Sequence, residues 1–260
     1  MGAGSSQYEA SEEQSKNFEN QREANPSFSD YQIAKAVGKA KPNDNKDKAA
    51  EKIPAVKLRY SFEAIIKEAD IPLDKSSFVK LQSQLQAGIF LNQRRKKYWV
   101  DGMSNNCFMI YARDLTIHWI EDGRFWKWVQ LKETSDELID TAELLRVCWL
   151  EIGGKFEEKN LTPKTLYEVA FVIMLKNSGR GWHVPVTVKL VLPNGSEQKR
   201  KVNMMEKPRD QWINIPFGEF QTSPENPGEI VFSFDGTAGG NWKSGLVIKG
   251  VKIQPILSRN

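Results

Sequence analysis

The chain has 260 residues, 40% of them hydrophobic and 27% charged, with a net charge of +4. That length and apolar content allow one large β domain or two smaller ones, and the modest charge permits an acidic partner without demanding one. Two cysteines, Cys107 and Cys148, with no CxxC between them, exclude a disulfide framework. They read as buried thiols in a reducing compartment, or else as a single disulfide. His118 and His183 stand apart, so no metal and no cofactor is expected. No apolar run approaches the ~18 residues of a membrane span, and the N-terminus lacks the apolar stretch of a secretory signal. The expectation is therefore a cytoplasmic chain without a transmembrane segment. Met1 to Ser6 fits the N-myristoylation pattern, which makes Gly2 a candidate for lipidation. One acyl chain would hold a membrane only weakly.

Residues 1–57 are rich in Ser, Asn, Gln, Glu, Lys and Ala, with scattered apolar positions. Such a segment buries too little surface to offset its ordering entropy, so it reads as a disordered tail. From 58 to 95 the period becomes helical. Phe62, Ile65, Ile66 and Ala69 mark one short helix, with Ser61 as its N-cap and Pro72 beyond its end. Phe78, Leu81, Leu85 and Ile89 mark a second, capped by Ser76 or Ser77, with Gly88 near its end. Arg94-Arg95-Lys96-Lys97 and Lys199-Arg200-Lys201 are short basic clusters, more often a solvated edge than a nucleic-acid patch.

From 96 to 260 the chain reads as short strands. The runs are 98–100, 107–112, 116–120, 125–130, 147–152, 166–175, 184–192, 199–205, 212–215, 230–234 and 246–253. Gly153-Gly154, Ser178-Gly179, Asn194-Gly195, Pro227-Gly228 and Gly239-Gly240 read as the turns between them. Residues 138–145 read as a short helix or loop. Many short strands without interposed helices imply an antiparallel sandwich or barrel.

Within this β region Asp122-Gly123 lies between Trp119 and Trp126, a signal for a tight hairpin. That turn would place Trp119 opposite Trp126 on one face, their Cβ atoms roughly 5 Å apart. Trp128 would extend the same face. Spacing alone leaves open whether this platform is core or binding surface, since clustered tryptophans in β proteins are more often buried.

The stretches YWVDGMSNNCFMIYARDLTIHW, FWKW, RVCWLEIGGKFEEKNLTP, YEVAFVIMLK, VKLVLPNG, WINIPFGEF, GEIVFSF and GLVIKGVKIQP resemble the plant phloem protein 2-like family of the A type, related to the tobacco lectin Nictaba. The resemblance implies a mainly β fold: an antiparallel β-sandwich of jelly-roll type that acts as a lectin without enzymatic activity. It implies binding of N-acetylglucosamine oligomers, as in chitin, or of N-glycan cores on glycoproteins. It further implies a homodimer through the lectin domain, in the cytoplasm, nucleus or phloem sap, with an association of some members with RNA. Carried over by motif, the sugar-binding residues are Trp119, Trp126 and Glu219. The family's second glutamate falls on Asn226, with Glu225 adjacent.

The chemistry of these residue types suits a sugar. An indole matches the C–H face of a pyranose, while carboxylates and amides match its hydroxyls. Trp149, Trp182, Trp212 and Trp242 read as core or packing residues. Glycosidase chemistry needs two carboxylates about 5–9 Å apart with one of them raised in pKa; Glu219 and Glu225 could imitate the pair, but nothing in the sequence raises either one. RNA binding through the basic clusters and exposed aromatics, and a non-enzymatic interaction scaffold built on the tail and helical pair, are the alternative readings.

Overall fold

The computed structural model describes residues 61–135, 137–225 and 227–256. The tail expected over 1–57, with Gly2, lies outside these residues, as does Asn226. The described chain opens with two helices, α1 (Phe62–Ile66) and α2 (Phe78–Ala87). Phe62 and Ile65 are buried. Ser61 does not cap α1 with its side chain; its hydroxyl donates to the carbonyl of Lys159 at 2.6 Å. Ser77 caps α2 by accepting from the Lys80 amide at 3.3 Å, and Gly88, at φ 90°, ends it.

Thirteen strands follow among the described residues, all paired antiparallel, in one sheet of eight and one of five. The larger sheet contains β1 (Ile89–Leu91), β2 (Lys96–Val100), β3 (Asn106–Tyr111), β5 (Trp126–Lys132), β6 (Leu138–Leu144), β8 (Leu166–Leu175), β11 (Trp212–Gln221) and β13 (Leu246–Pro255). β13 is its spine. One side of β13 pairs with β8, which pairs in turn with β11 at the edge. On the other side the first half of β13 meets β6 and the second half meets β3. The smaller sheet has the order β10 (Glu197–Val202), β9 (Val186–Val191), β12 (Glu229–Asp235), β7 (Glu151–Glu157), β4 (Thr116–Ile117).

Alternation explains how the sheets face each other. Val186, Val188 and Leu190 of β9 and Ile230, Phe232 and Phe234 of β12 point inward, each essentially buried. Tyr167, Val169, Phe171 and Ile173 of β8 do the same from the other sheet. Phe171 meets Phe232 and Phe234 edge-on, with ring centroids 6.1 and 5.5 Å apart, and Phe108 meets Phe156 at 4.8 Å. Burial of each such side chain contributes roughly 1.5–3 kcal/mol, which is what closes the two sheets into the expected antiparallel β-sandwich of jelly-roll type.

Four local expectations are corrected. Ile89 opens β1 and does not belong to the face of α2, because Gly88 has already ended the helix. Residues 138–144 form β6, paired along its whole length with β5. Gly153-Gly154 is no turn but the middle of β7, where Gly154 opposes Phe232. A Cβ on Gly154 would lie 2.6 Å from Cε2 of that ring, so the glycine makes room for a core phenylalanine. Finally, Asp122-Gly123 does not close a hairpin. β4 pairs with β7 in the smaller sheet and β5 with β6 in the larger, so residues 118–125 carry the chain from one sheet to the other.

Candidate functional site

The crossing segment positions the site. The His118 amide donates to the Glu151 carbonyl at 3.1 Å and extends the β4–β7 ladder by one residue. The backbone of Trp119 then turns left-handed, at φ 67°. For a bulky L-residue that conformation costs roughly 1–2 kcal/mol and is most often kept where a side chain must be aimed. Successive turns follow: the Ile120 amide donates to Ile117, Asp122 to Trp119, and Phe125 to Asp122. The Asp122 carboxylate accepts from the Arg124 amide and guanidinium, which hold it well below the usual carboxylate range, at about 2.

The two tryptophans expected to form a shared face separate. Trp119 is 59% exposed, whereas Trp126 is 2% exposed and its ring belongs to the core. The Trp126 indole N–H donates to the His118 carbonyl at 3.0 Å, so this residue supports the loop from beneath and presents no floor to a ligand. The Trp119 ring rests edge-on against Phe125, centroids 6.0 Å apart. Trp128 is also withdrawn, because the Arg113 guanidinium covers its ring at 3.6 Å.

A different tryptophan joins Trp119. Trp149 is 54% exposed and, with His118 and Trp119, lines a cleft of about 330 Å³. A second hollow of about 580 Å³ runs along residues 117–123 and shares His118 and Trp119 with the cleft. Glu151 touches two of the lining residues. Its Oε2 accepts from the Trp149 indole N–H at 3.2 Å and lies 3.0 Å from His118 Nδ1. Its Oε1 has no hydrogen-bond partner among the described residues. The arrangement offers two indole surfaces and an imidazole in one recess, with a carboxylate bonded to the Trp149 indole and close to His118. Sequence reasoning placed Trp149 in the core. The signal that locates it is the alternation with Leu150 and Ile152, both fully buried, which sends Trp149 and Glu151 outward.

The acidic positions sit elsewhere. Glu219 is exposed on the outward face of β11, opposite Glu168, and its amide and carbonyl are bonded by the Gln198 side chain of β10. β10 and β4 are the two edges of the smaller sheet, so about four strand spacings, ~19 Å, separate Glu219 from the Trp119 edge. Glu225, also exposed, belongs to a loop fastened to the far end of β7. The buried Glu158 accepts from the Ser223 amide, and its own amide donates to Gly228. From Glu151 to Glu157 the strand spans about 20 Å. The structure therefore does not bring Glu219 or Glu225 to the Trp119 cleft. Nor do the basic clusters form a continuous patch. Arg94 pairs with Glu137 at 2.6 Å and Lys96 with Asp114 at 3.4 Å, while Lys199 to Lys201 lie along the edge strand β10.

The sequence profile of the phloem protein 2 family matches residues 105–255. The chain belongs to the phloem protein 2 family. Its similarity to phloem protein 2-like A1 of Arabidopsis thaliana is 45% identity over 207 residues, 78% of this chain and 84% of that one. To a lectin of Luffa acutangula it is 47% over 203 residues, 77% and 96% of the respective chains. Among solved structures, a xylan-binding CBM22-1 domain of Paenibacillus barcinonensis Xyn10C aligns over 57% of this chain and 89% of that one, with a TM-score of 0.33 and 11% identity. Within this family member the matched region begins just before β3 and carries every residue of the Trp119 cleft.

Proposed function

We propose that this phloem protein 2 family member is a non-enzymatic lectin that binds N-acetylglucosamine oligomers or N-glycan cores at the Trp119 cleft. The observation that carries the proposal is the pairing of two more-than-half-exposed indoles, Trp119 and Trp149, beside a carboxylate whose Oε1 is unpartnered among the described residues. Exposed tryptophans are costly to leave in water, and a recess built from them suits the C–H face of a pyranose. Glu151 Oε1 then accepts a ring hydroxyl, and His118 fixes the carboxylate. The names of two relatives, the lectins of Luffa acutangula and Coccinia grandis, support the same reading. Of the residues carried over by motif, Trp119 makes the contact and Trp126 holds its loop. Glu219 and Glu225 serve other surfaces. The same reading places the protein in the cytoplasm or phloem sap.

Tryptophan fluorescence during titration with tri-N-acetylchitotriose tests this. A saturable change is expected in the wild type and is expected to vanish in Trp119→Ala and Trp149→Ala. A silent wild type, or an unchanged response in both variants, rejects the proposal.

A further inference from the structure

A third recess lies on the larger sheet, on the face turned away from the core. It holds about 430 Å³, within the range of small-ligand sites, and is walled by Gln86 and Ala87 at the end of α2. Its floor is Met109 and Val172, and Trp99, Asn214, Glu133 and the lysines 97, 249 and 252 complete it. Lys97 and Lys252 flank Met109 in one cross-strand row over β2, β3 and β13, so their main chains are roughly 10 Å apart. Lys249 is neutralised by Glu133 at 2.6 Å. Lys97 and Lys252 have no carboxylate partner among the described residues, although both are half-buried. Two ammonium groups held in one recess, with aromatic rings but no carboxylate beside them, leave positive charge there for an anion to join.

The lining narrows the class of anion. Ammonium groups already lie 5.5 to 5.9 Å from the ring centroids of Phe90, Trp212 and Trp99. Those faces are therefore taken, which disfavours stacking of nucleobases. What is left is hydrocarbon from Met109, Val172 and Ala87, and amides from Gln86 and Asn214. That combination matches a ring with a C–H face, hydroxyls at its rim and a negative charge. We propose that this recess is a second ligand site, for an acidic oligosaccharide whose pyranose units carry carboxylates. It is separate from the Trp119 cleft and does not depend on it.

Isothermal titration of the full chain with trigalacturonate at low salt tests the assignment. Saturable binding is expected, weakened about tenfold or more in Lys97→Met/Lys252→Met, since charge-assisted hydrogen bonds are the stronger kind. Binding is expected to be unchanged in Trp119→Ala and not displaced by tri-N-acetylchitotriose, so this reading and the lectin reading fail separately. If circular dichroism shows the double variant misfolded, Lys252→Gln carries the test, with a threefold loss as the threshold. Absence of saturable binding, or binding indifferent to the lysines, overturns the proposal. So does lysine-dependent binding of oligouridylate without any binding of trigalacturonate.

Discussion

The Trp126 indole N–H and the His118 carbonyl, 3.0 Å apart, tie the first residue of β5 to the residue just past β4. This bond holds the crossing segment against the core. Trp126→Phe keeps most of the ring's apolar burial but leaves the carbonyl without its donor. We expect a stability loss of about 1–3 kcal/mol, read from urea unfolding, together with weaker sugar binding. Unchanged stability would show that the bond does not anchor the segment.

Trp119→Gly separates aim from contact. Glycine adopts φ 67° without the steric penalty, so stability is expected to hold or rise by up to about 1 kcal/mol. The fluorescence response to chitotriose should nevertheless disappear. A variant that is destabilised and still binds would contradict the role given to this ring.

The acidic residues divide in the same way. Glu151→Gln is expected to weaken sugar binding about tenfold, the scale of one lost charge-assisted contact, and Trp149→Ala to abolish it. Glu219→Gln and Glu225→Gln should stay within about twofold, because both lie roughly 20 Å away by strand spacing. Calorimetric titration of the four variants decides between the cleft and the motif-derived set.

Cys107 is buried, and burial, reinforced by the Asp101 charge, pushes its thiol up to about 12. The protonated form is therefore favoured by folding. Its contribution is complete below the ordinary thiol value near 9 and is lost as pH rises through about 12. Wild type should lose stability faster than Cys107→Ala across that alkaline window. At pH 8 a disulfide reagent should modify Cys107 only after unfolding, while the half-buried Cys148 reacts in the native state.

Gly154→Ala sets a methyl group against the Phe232 ring, which is fixed in the core. Overpacking of this kind costs about 1–3 kcal/mol. A thermal melt of the variant measures it, and an unaltered melting temperature would argue against the β7–β12 register.

Legibility in the sequence followed the range of the forces involved. β8 was readable to the residue because Leu166 to Leu175 is an apolar run broken only by Glu168 and bounded by Pro163-Lys164-Thr165 and Lys176-Asn177-Ser178. Ser77 and Gly88 bracket α2 by purely local chemistry. Asp122-Gly123 misled for the opposite reason. Turn propensity describes four residues, whereas the partners of β4 and β5 are set by β7 and β6 in different sheets. Gly153-Gly154 failed likewise, since the need for Gly154 comes from a phenylalanine almost eighty positions away. At the candidate site Trp119 was found by motif. Trp149 was missed because its residue type is usually buried, although its neighbours Leu150 and Ile152 gave its direction.

The left-handed backbone of Trp119 has a last consequence, for the thermodynamics of recognition. The residue is pinned on both sides, by the Ile120 amide on Ile117 and by its own carbonyl accepting from Asp122, and its ring abuts Phe125. Little rotational freedom is left for a ligand to remove. The ordering was completed when the chain folded, so the cleft is preorganised, and the conformational entropy lost on complex formation falls mainly on the sugar.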